Sequence, residues 1–190
     1  HDEKRAQILN CPAQVFAAEG FVRASMNRIA AGCGISKANI YHYYAGKDAL
    51  LFDLLDSYLS ALHARVCVDP APEATPQDRL LDTVRAVLRA YQGADDHHKV
   101  QISALEALPE DKQKVLRTYQ RDMVNHLSAI LAEIAPDPLA ADARKLRSVT
   151  MSVFGMLNWY YMWNGGAGSD VREEYAQLVT NLTLKGLEGV

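Results

Sequence analysis

The most informative segment of the chain runs from Ser25 to Leu51 and reads SMNRIAAGCGISKANIYHYYAGKDALL. It holds two short segments with helical spacing of apolar residues, and a serine that can cap the first turn precedes each of them (Ser25 and Ser36). Between them Cys33-Gly34 supplies a tight turn, because glycine accepts the positive φ that a side chain disfavours. Two short helices joined by such a turn are typical of a helix-turn-helix, whose second helix can enter the major groove of DNA.

The second short helix carries side chains that suit base recognition. Ile40 is expected to face inward, whereas Lys37, Asn39, Tyr41 and His42 face outward. Asparagine can pair bidentately with adenine, lysine can reach guanine O6 and N7, and an alanine such as Ala38 can pack on a thymine methyl group. Each good bidentate pair discriminates between bases by about 1–3 kcal/mol.

Charge along the chain also favours a polyanionic partner at the N-terminal end. Residues 1–48 carry a net charge of +2 and the remainder −5, and no acidic residue lies between Phe21 and Lys47. Tyr43 and Lys47 are expected to hold phosphate groups, Lys47 at the start of a fourth helix whose N–H groups attract anions. The sequence therefore predicts a positive face on this part of the chain.

The N-terminal quarter resembles the tetracycline-repressor family, from near Arg5 through AQVFAAEGF, SMNRIA and GISKANIYHYYAGKDALL. The resemblance implies an all-helical dimer that binds an operator in double-stranded DNA and senses a small molecule with its C-terminal domain. It also implies a set of DNA contacts at the start of the second helix, on the recognition helix and at a phosphate: Ser25, Met26, Asn27, Lys37, Ala38, Asn39, Tyr41, His42, Tyr43 and Lys47.

Pro12 departs from the family pattern, since it stands inside the first helix where a helix former is usual. An interior proline removes a backbone hydrogen bond and costs about 3 kcal/mol. We therefore expect a kink or a break near Ile8 to Cys11.

The rest of the chain reads as a string of helices, so the predicted class is all-α with about nine helices. We expect a helix-turn-helix domain over residues 1–47 and an effector-binding and dimerisation domain over residues 48–190. The fourth helix should end at the linker Pro70-Ala71-Pro72, Thr75-Pro76 should open the next, and Gly93 to His98 should be a break. The last helix is expected to open at Asp170 with a capping box to Glu173.

The segment GMLNWYYMWNGG, residues 155–166, is rich in aromatic residues and Met, which commonly lie in a core or an interface. It also resembles loosely the family members that respond to acyl-CoA thioesters. We expect a mostly apolar pocket for an amphipathic effector, an acyl-CoA thioester being the leading candidate. Its expected lining is Tyr91, Leu105, Met123, Leu127, Phe154, Asn158, Tyr161 and Trp163.

Dimerisation follows from the family resemblance, which places a four-helix bundle between the last two helices of each subunit. Two subunits related by a two-fold axis would require a palindromic operator. The apolar residues expected at this interface are Val149, Val153, Met156, Tyr175, Leu178, Val179 and Leu182.

Three cysteines, Cys11, Cys33 and Cys67, are too few for a disulfide scaffold or a zinc cluster. Buried free thiols are the expectation, and a redox switch is the alternative. Asp95-Asp96-His97-His98 is expected to be a solvated polar turn rather than a metal site, because adjacent loop residues seldom converge on one ion. No metal or cofactor is expected.

Two other function classes remain open at this point. An enzyme built on helices would rest only on scattered carboxylates, since no phosphate loop or nucleophile elbow occurs. A constitutive DNA-binding protein without a ligand would lack an effector cavity. The charged N-terminus and the absence of an apolar run of about 20 residues favour a cytoplasmic protein without a membrane partner. The chain does not begin with Met, so we expect that a few N-terminal residues are missing or derived from a tag.

Overall fold

The computed structural model describes residues 2–69 and 71–190, and for residues 2–8 and 10 it describes the backbone alone. The described residues form ten α-helices and no strand, which confirms the all-α prediction. The helices are α1 Asp2–Glu19, α2 Met26–Gly32, α3 Lys37–Tyr43, α4 Lys47–Val66, α5 Pro76–Ala90, α6 Asp95–Ala104, α7 Glu110–Ile134, α8 Asp137–Ala140, α9 Ala143–Asn164 and α10 Ser169–Leu187. The predicted count of about nine helices did not include α8, a single helical turn that contains Pro138 near its start.

Serine caps begin both helices of the helix-turn-helix, as predicted. The Ser25 hydroxyl accepts a hydrogen bond from the backbone N–H of Arg28 at 3.2 Å, and the Ser36 hydroxyl accepts one from the N–H of Asn39 at 3.1 Å. Each bond satisfies a backbone donor that the helix itself leaves without an acceptor. The caps therefore fix where α2 and α3 start.

The turn between α2 and α3 is a Schellman motif centred on Gly34. Gly34 has φ +64°, and its N–H donates to the carbonyl of Ala31 while the N–H of Ile35 donates to the carbonyl of Ala30. A left-handed residue followed by these two bonds ends a helix abruptly and satisfies its last carbonyls. The predicted glycine turn is confirmed.

Helix α1 is continuous through Pro12, so a break near Ile8 to Cys11 is wrong, while a kink there stays a prediction. Pro12 is buried, and α1 packs against both α2 and α6. Because most helical stability in proteins comes from tertiary packing, contacts along the helix can offset the missing hydrogen bond.

The chain divides into two compact units. The first unit comprises His1–Ala61 and Ala94–Tyr119, and the second unit comprises Leu62–Gly93 and Gln120–Val190. The division falls inside α4 and inside α7, so both helices contribute to both units. The functional boundary that we predict after residue 47 stays a prediction, and α6, which lies beyond it in sequence, packs on α1 in the first unit.

In the second unit, α5 packs on α9 and α10. Thr75 caps α5 and forms a reciprocal capping box with Asp78, and Pro76 is the first helical residue between them. The predicted start of α5 is therefore confirmed. The capping box expected at Asp170 is wrong: Gly168 precedes α10 without a side-chain cap. Glu173 instead accepts hydrogen bonds from Arg85 Nε at 2.8 Å and from Arg85 Nη2 at 2.5 Å, and the Arg85 guanidinium holds the pKa of this carboxyl below its usual range.

Helix α6 begins at Asp95, so the break predicted from Gly93 to His98 is shorter than expected. His98 is buried and lies 3.3 Å from the Tyr58 hydroxyl through Nδ1, which replaces the solvated turn predicted for this segment. Within the described residues no cluster of three or more His, Cys, Asp or Glu could hold a metal ion. Pro70 of the predicted linker lies outside the described residues, and among the described helices none has the length and apolar character to cross a membrane.

Candidate functional site

The recognition helix α3 presents its predicted polar face to solvent. Ile40 is buried, and the five other predicted positions on the helix before Tyr43 are exposed: Lys37, Ala38, Asn39, Tyr41 and His42. Tyr43 at the end of the helix is also exposed, with its ring edge-on to His42 at 5.2 Å. These side chains are available to a nucleic acid without any rearrangement of the helix.

The three DNA contacts predicted at the start of α2 differ in their exposure to solvent. Ser25 and Asn27 are exposed, whereas the Met26 side chain is buried and only 6% exposed. Met26 packs in the first unit because it lies on the same face as Ile29 and Ala30, one helical turn away. A side-chain contact of Met26 with DNA is therefore corrected to a core position.

Lys47 uses its side-chain donors within the protein. Its Nζ donates to the backbone carbonyls of Phe21 at 2.7 Å, Ala24 at 2.9 Å and Val22 at 3.2 Å. The same ammonium group lies 4.4 Å from the centroid of the Phe21 ring. An ammonium group has three donors, so the geometry favours a role in holding the loop before α2 over the phosphate contact predicted for this residue.

A buried pair that the sequence reading missed joins the end of α3 to α4. The Tyr44 hydroxyl donates to a carboxylate oxygen of Asp53 at 2.5 Å, and both residues are buried. The available signal was the position of Asp53, a carboxylate between Leu51 and Leu54 in an otherwise apolar stripe. Burying a carboxylate requires such a donor, so the pair fixes the recognition helix against α4.

The cysteines contradict the expectation of three free thiols. Cys11 in α1 and Cys33 at the end of α2 form a disulfide with their Cα atoms 5.5 Å apart. Cys67 is free, as predicted, and burial together with the nearby Asp122 raises the pKa of its thiol. The sequence separation of 22 residues gave no sign of the pairing, because α1 and α2 become neighbours only in the folded unit.

The structure brings together some, but not all, of the residues predicted to line the effector pocket. The Tyr91 hydroxyl donates to Asn158 Oδ1 at 2.7 Å, and burial raises the pKa of Tyr91. Leu105 belongs to the first unit, and Trp163 is 59% exposed with its ring edge-on to Tyr160 and Tyr175. The remaining four are buried or half-buried side chains: Met123, Leu127, Phe154 and Tyr161.

A cavity of about 130 Å³ lies elsewhere in the second unit, and none of the eight predicted residues lines it. Its lining is Val66, Val68, Asp69, Ala71, Ala74, Arg79, Asp82, Thr83, Ala86, His126 and Ile130. Arg79 pairs with Glu133 through Nη2, while its buried Nε has no hydrogen-bond partner among the described residues. Burial, Arg79 and His63 lower the pKa of His126, so the cavity combines apolar walls with a few polar groups. The sequence gives little sign of it, because its walls come from three helices and a linker.

The predicted dimer residues divide between core and surface. Val153 and Val179 are buried within the single chain and are corrected to core positions, while Val149, Met156 and Tyr175 are half-buried. Leu178 and Leu182 are 52% and 54% exposed. Four further exposed apolar side chains lie on α9 and α10 and were not predicted from the sequence: Met151, Trp159, Met162 and Val171.

An exposed recognition helix and a larger helical unit with a cavity are the features expected of a helical DNA-binding regulator. The protein-family model described as "Bacterial regulatory proteins, tetR family" matches residues 8–54. The model "Tetracyclin repressor-like, C-terminal domain" matches residues 73–187. The chain therefore belongs to the tetR family of bacterial regulatory proteins, and as a member it is a transcriptional regulator and not an enzyme.

Individual relatives agree with this placement. A TetR-family transcriptional regulator from Bordetella parapertussis 12822 superposes with a TM-score of 0.87 at 32% identity, over 100% of this chain and 98% of that chain. The HTH-type transcriptional repressor KstR2 of Mycobacterium tuberculosis is 30% identical over 101 residues, 53% of this chain and 48% of the repressor, so the match spans about half of that relative's length. AibR, solved in complex with isovaleryl coenzyme A and operator DNA, shares the fold with a TM-score of 0.76 at 22% identity, over 95% of this chain and 97% of that chain.

Proposed function

We propose that this protein is a repressor that binds a palindromic operator as a homodimer and is released by a small amphipathic effector. The observation that carries the proposal is the exposed face of α3, with Lys37, Asn39 and His42 open to solvent and Ile40 buried beneath them. These groups can donate to or accept from base edges in the major groove. KstR2, matched over part of its length, is a repressor.

The contacts divide by role. Ala38, Asn39 and Lys37 lie in the first turn of α3, which in helix-turn-helix proteins contacts base edges. Ser25, Asn27 and Tyr43, which flank this turn in sequence, suit the phosphate backbone, because hydroxyl and amide groups commonly bind phosphate oxygens. Lys47 and the Tyr44–Asp53 pair hold the element in place rather than touch DNA.

Dimerisation through α9 and α10 is supported by their exposed apolar faces. Met151, Trp159 and Met162 recur at helical spacing on α9, and Leu178 and Leu182 do so on α10. Exposed apolar side chains grouped on one helix face are typical of association sites. A second copy is the occupant that the family resemblance favours, and its two-fold axis would place two recognition helices on successive major grooves.

For the effector, the acyl-CoA class remains the leading proposal. One protein of the same fold binds isovaleryl coenzyme A together with operator DNA. A cavity of about 130 Å³ is near the size that accepts benzene in an engineered protein, so it can take a short branched acyl group but not a whole thioester. The acyl end is proposed to lie between Val66 and Ile130, with Arg79 and His126 near the thioester.

Release requires that the effector prefer one of two conformations. Helices α4 and α7 each have one end in each unit, and α6 packs on α1. A shift of these helices on binding could therefore reach the recognition helix. A coupling free energy of about 1–3 kcal/mol changes operator affinity by about 5- to 150-fold.

The test is to sequence the genomic fragments that the purified protein retains and then to footprint the strongest fragment. The proposal expects a palindromic footprint and an affinity that falls steeply with salt. Adding isovaleryl coenzyme A and longer acyl-CoA thioesters should weaken binding. Failure to enrich any fragment would overturn the DNA-binding role. If none of the thioesters changes operator affinity, only the effector class is overturned.

A further inference from the structure

The disulfide between Cys11 and Cys33 joins α1 to the helix-turn-helix formed by α2 and α3. Cys33 is the residue that ends α2, directly before Gly34 of the turn, and α3 begins four residues later at Lys37. Cys11 is in the middle of α1, the helix on which α2 packs. The bond therefore joins the supporting helix to the end of the helix that positions recognition.

The two helices are already close at this point. A Cβ added to Gly32 would lie 3.2 Å from Val15 Cγ2, so α1 and α2 approach each other tightly one residue before Cys33. At the other end of α2, the Arg28 side chain donates to the carboxylate of Glu19 at 2.8 Å. The Arg28–Glu19 pair is exposed and contributes little, so the disulfide is the strong specific link that adds to the packing of α2 on α1.

We propose that Cys11 and Cys33 form a reversible thiol–disulfide site, and that the oxidised form is the form that binds DNA tightly. Both residues are half-buried rather than enclosed, so small oxidants and reductants can reach them. Their Cα separation of 5.5 Å lies within the ordinary range for a disulfide, so the bond can open and close without moving the backbone apart. The DNA-binding readout rests on the proposed function, while the thiol chemistry does not.

With a hydroperoxide as oxidant, the chemistry balances in two steps. One thiolate attacks the peroxide, an S–O bond forms, the O–O bond breaks, and water leaves after taking up a proton. The second thiolate attacks this sulfenic sulfur, the S–S bond forms, the S–O bond breaks, and a second water leaves. Two thiols lose two electrons, and hydrogen peroxide is reduced to two waters. A dithiol returns the protein disulfide to two thiols by two thiol–disulfide exchanges and is itself oxidised to a disulfide.

Reduction is expected to loosen the end of α2 while leaving both helices formed. Their caps, Ser25 and Ser36, and the Schellman turn at Gly34 do not involve the sulfur atoms. The reduced element therefore keeps its secondary structure but samples more orientations relative to α1. Ordering it again on DNA costs conformational entropy, which weakens binding.

The experiment compares protein reduced with dithiothreitol with protein oxidised by hydrogen peroxide and desalted. Maleimide labelling and peptide mass spectrometry should find one free thiol, Cys67, in the oxidised protein and three in the reduced protein. The oxidised protein should unfold about 5–10 °C higher, and should bind the fragment selected from the genome about fivefold or more tightly. Reduction should restore the starting state.

Matched variants separate the pair from the third thiol. Cys33→Ser and Cys11→Ser should make both readouts independent of redox state, while Cys67→Ser should respond as the wild type does. Circular dichroism under reducing conditions checks that each variant folds. Three free thiols after peroxide treatment would overturn the proposal, and so would a bond that forms without changing operator affinity. A protein that binds no DNA in either state would instead overturn the proposed function, and the site would then stand or fall on the thiol count and the unfolding temperature.

Discussion

The ammonium group of Lys47 donates a hydrogen bond to the backbone carbonyl of Phe21 at 2.7 Å and lies over the ring of the same residue. Lys47 begins α4, whereas Phe21 lies in the loop before α2. This pair therefore connects the helix after the recognition element to the segment before it. Two further carbonyls of the same loop, those of Val22 and Ala24, complete the environment of the ammonium group.

Replacing Lys47 by Met should destabilise the protein and weaken its binding to every DNA sequence. Each hydrogen bond from a charged donor contributes about 1.5–3 kcal/mol when buried, and the partial exposure of this group reduces the total to about 1–2 kcal/mol. Urea unfolding measures the first effect, and operator titrations at several salt concentrations measure the second. The slope of log affinity against log salt should not change. A shallower slope by about one phosphate contact, with unchanged stability, would restore the phosphate role.

Asn39→Ala should relax base preference at one position in each half-site. The Asn39 side chain is exposed, and its backbone N–H, which binds Ser36, stays in place. Loss of one bidentate base pairing reduces discrimination by about 1–3 kcal/mol. Affinity for a set of single-base operator variants measures the change. Ser36→Ala is the matched control, because loss of a helix cap of about 1 kcal/mol should weaken all sequences alike; an equal loss on every sequence for Asn39→Ala would contradict its role in base recognition.

If the proposed dimer forms through α9 and α10, Leu178→Glu combined with Leu182→Glu should convert it to a monomer. Both side chains are more than half exposed in the single chain, so the change should leave the chain folded while placing four charges in the paired interface. Sedimentation at micromolar concentration distinguishes the two states. Ile102→Glu, an exposed apolar position on α6, is the control and should remain dimeric. A double variant that sediments as a dimer would move the interface away from this face of α10.

Ala86→Leu should lower affinity for the effector without weakening operator binding. Ala86 lines the 130 Å³ cavity, and three added carbon atoms would occupy the space proposed for the acyl group. Ala141→Leu, at the exposed end of α8, is the control. Calorimetric titration with isovaleryl coenzyme A measures the difference. If Ala86→Leu binds as the wild type does, the Tyr91–Asn158 region becomes the candidate, and Asn158→Leu tests it.

Stability should fall as the pH drops below about 6.5, the ordinary pKa of histidine. Burial lowers the pKa of His97 and of His126, the latter with help from Arg79. Below pH 6.5 the unfolded chain takes up protons that the folded chain binds only at lower pH, so protonation favours unfolding. Urea midpoints between pH 7.5 and 5.5 measure this dependence. His126→Gln should flatten the curve, and an unchanged curve would show that His126 does not contribute.

Local features of this protein could be predicted from neighbouring residues. Ser25, Ser36 and Gly34 fixed the caps and the turn of the helix-turn-helix, because capping and positive φ depend on neighbouring residues alone. The spacing of Ile40 among polar neighbours fixed which face of α3 is exposed. The family resemblance rested on these same short motifs.

Features in which distant segments meet became visible only in the folded chain. The Cys11–Cys33 bond, the contacts of Lys47 with the loop from Phe21, and the Tyr44–Asp53 pair all depend on how helices pack. Periodicity placed Val153 and Val179 on apolar helix faces, but it could not show whether these faces pack against their own chain or against a second one. Helical spacing shows that a helix has an apolar face, but it does not show which surface that face packs against. That surface is known only once the helices are placed in space.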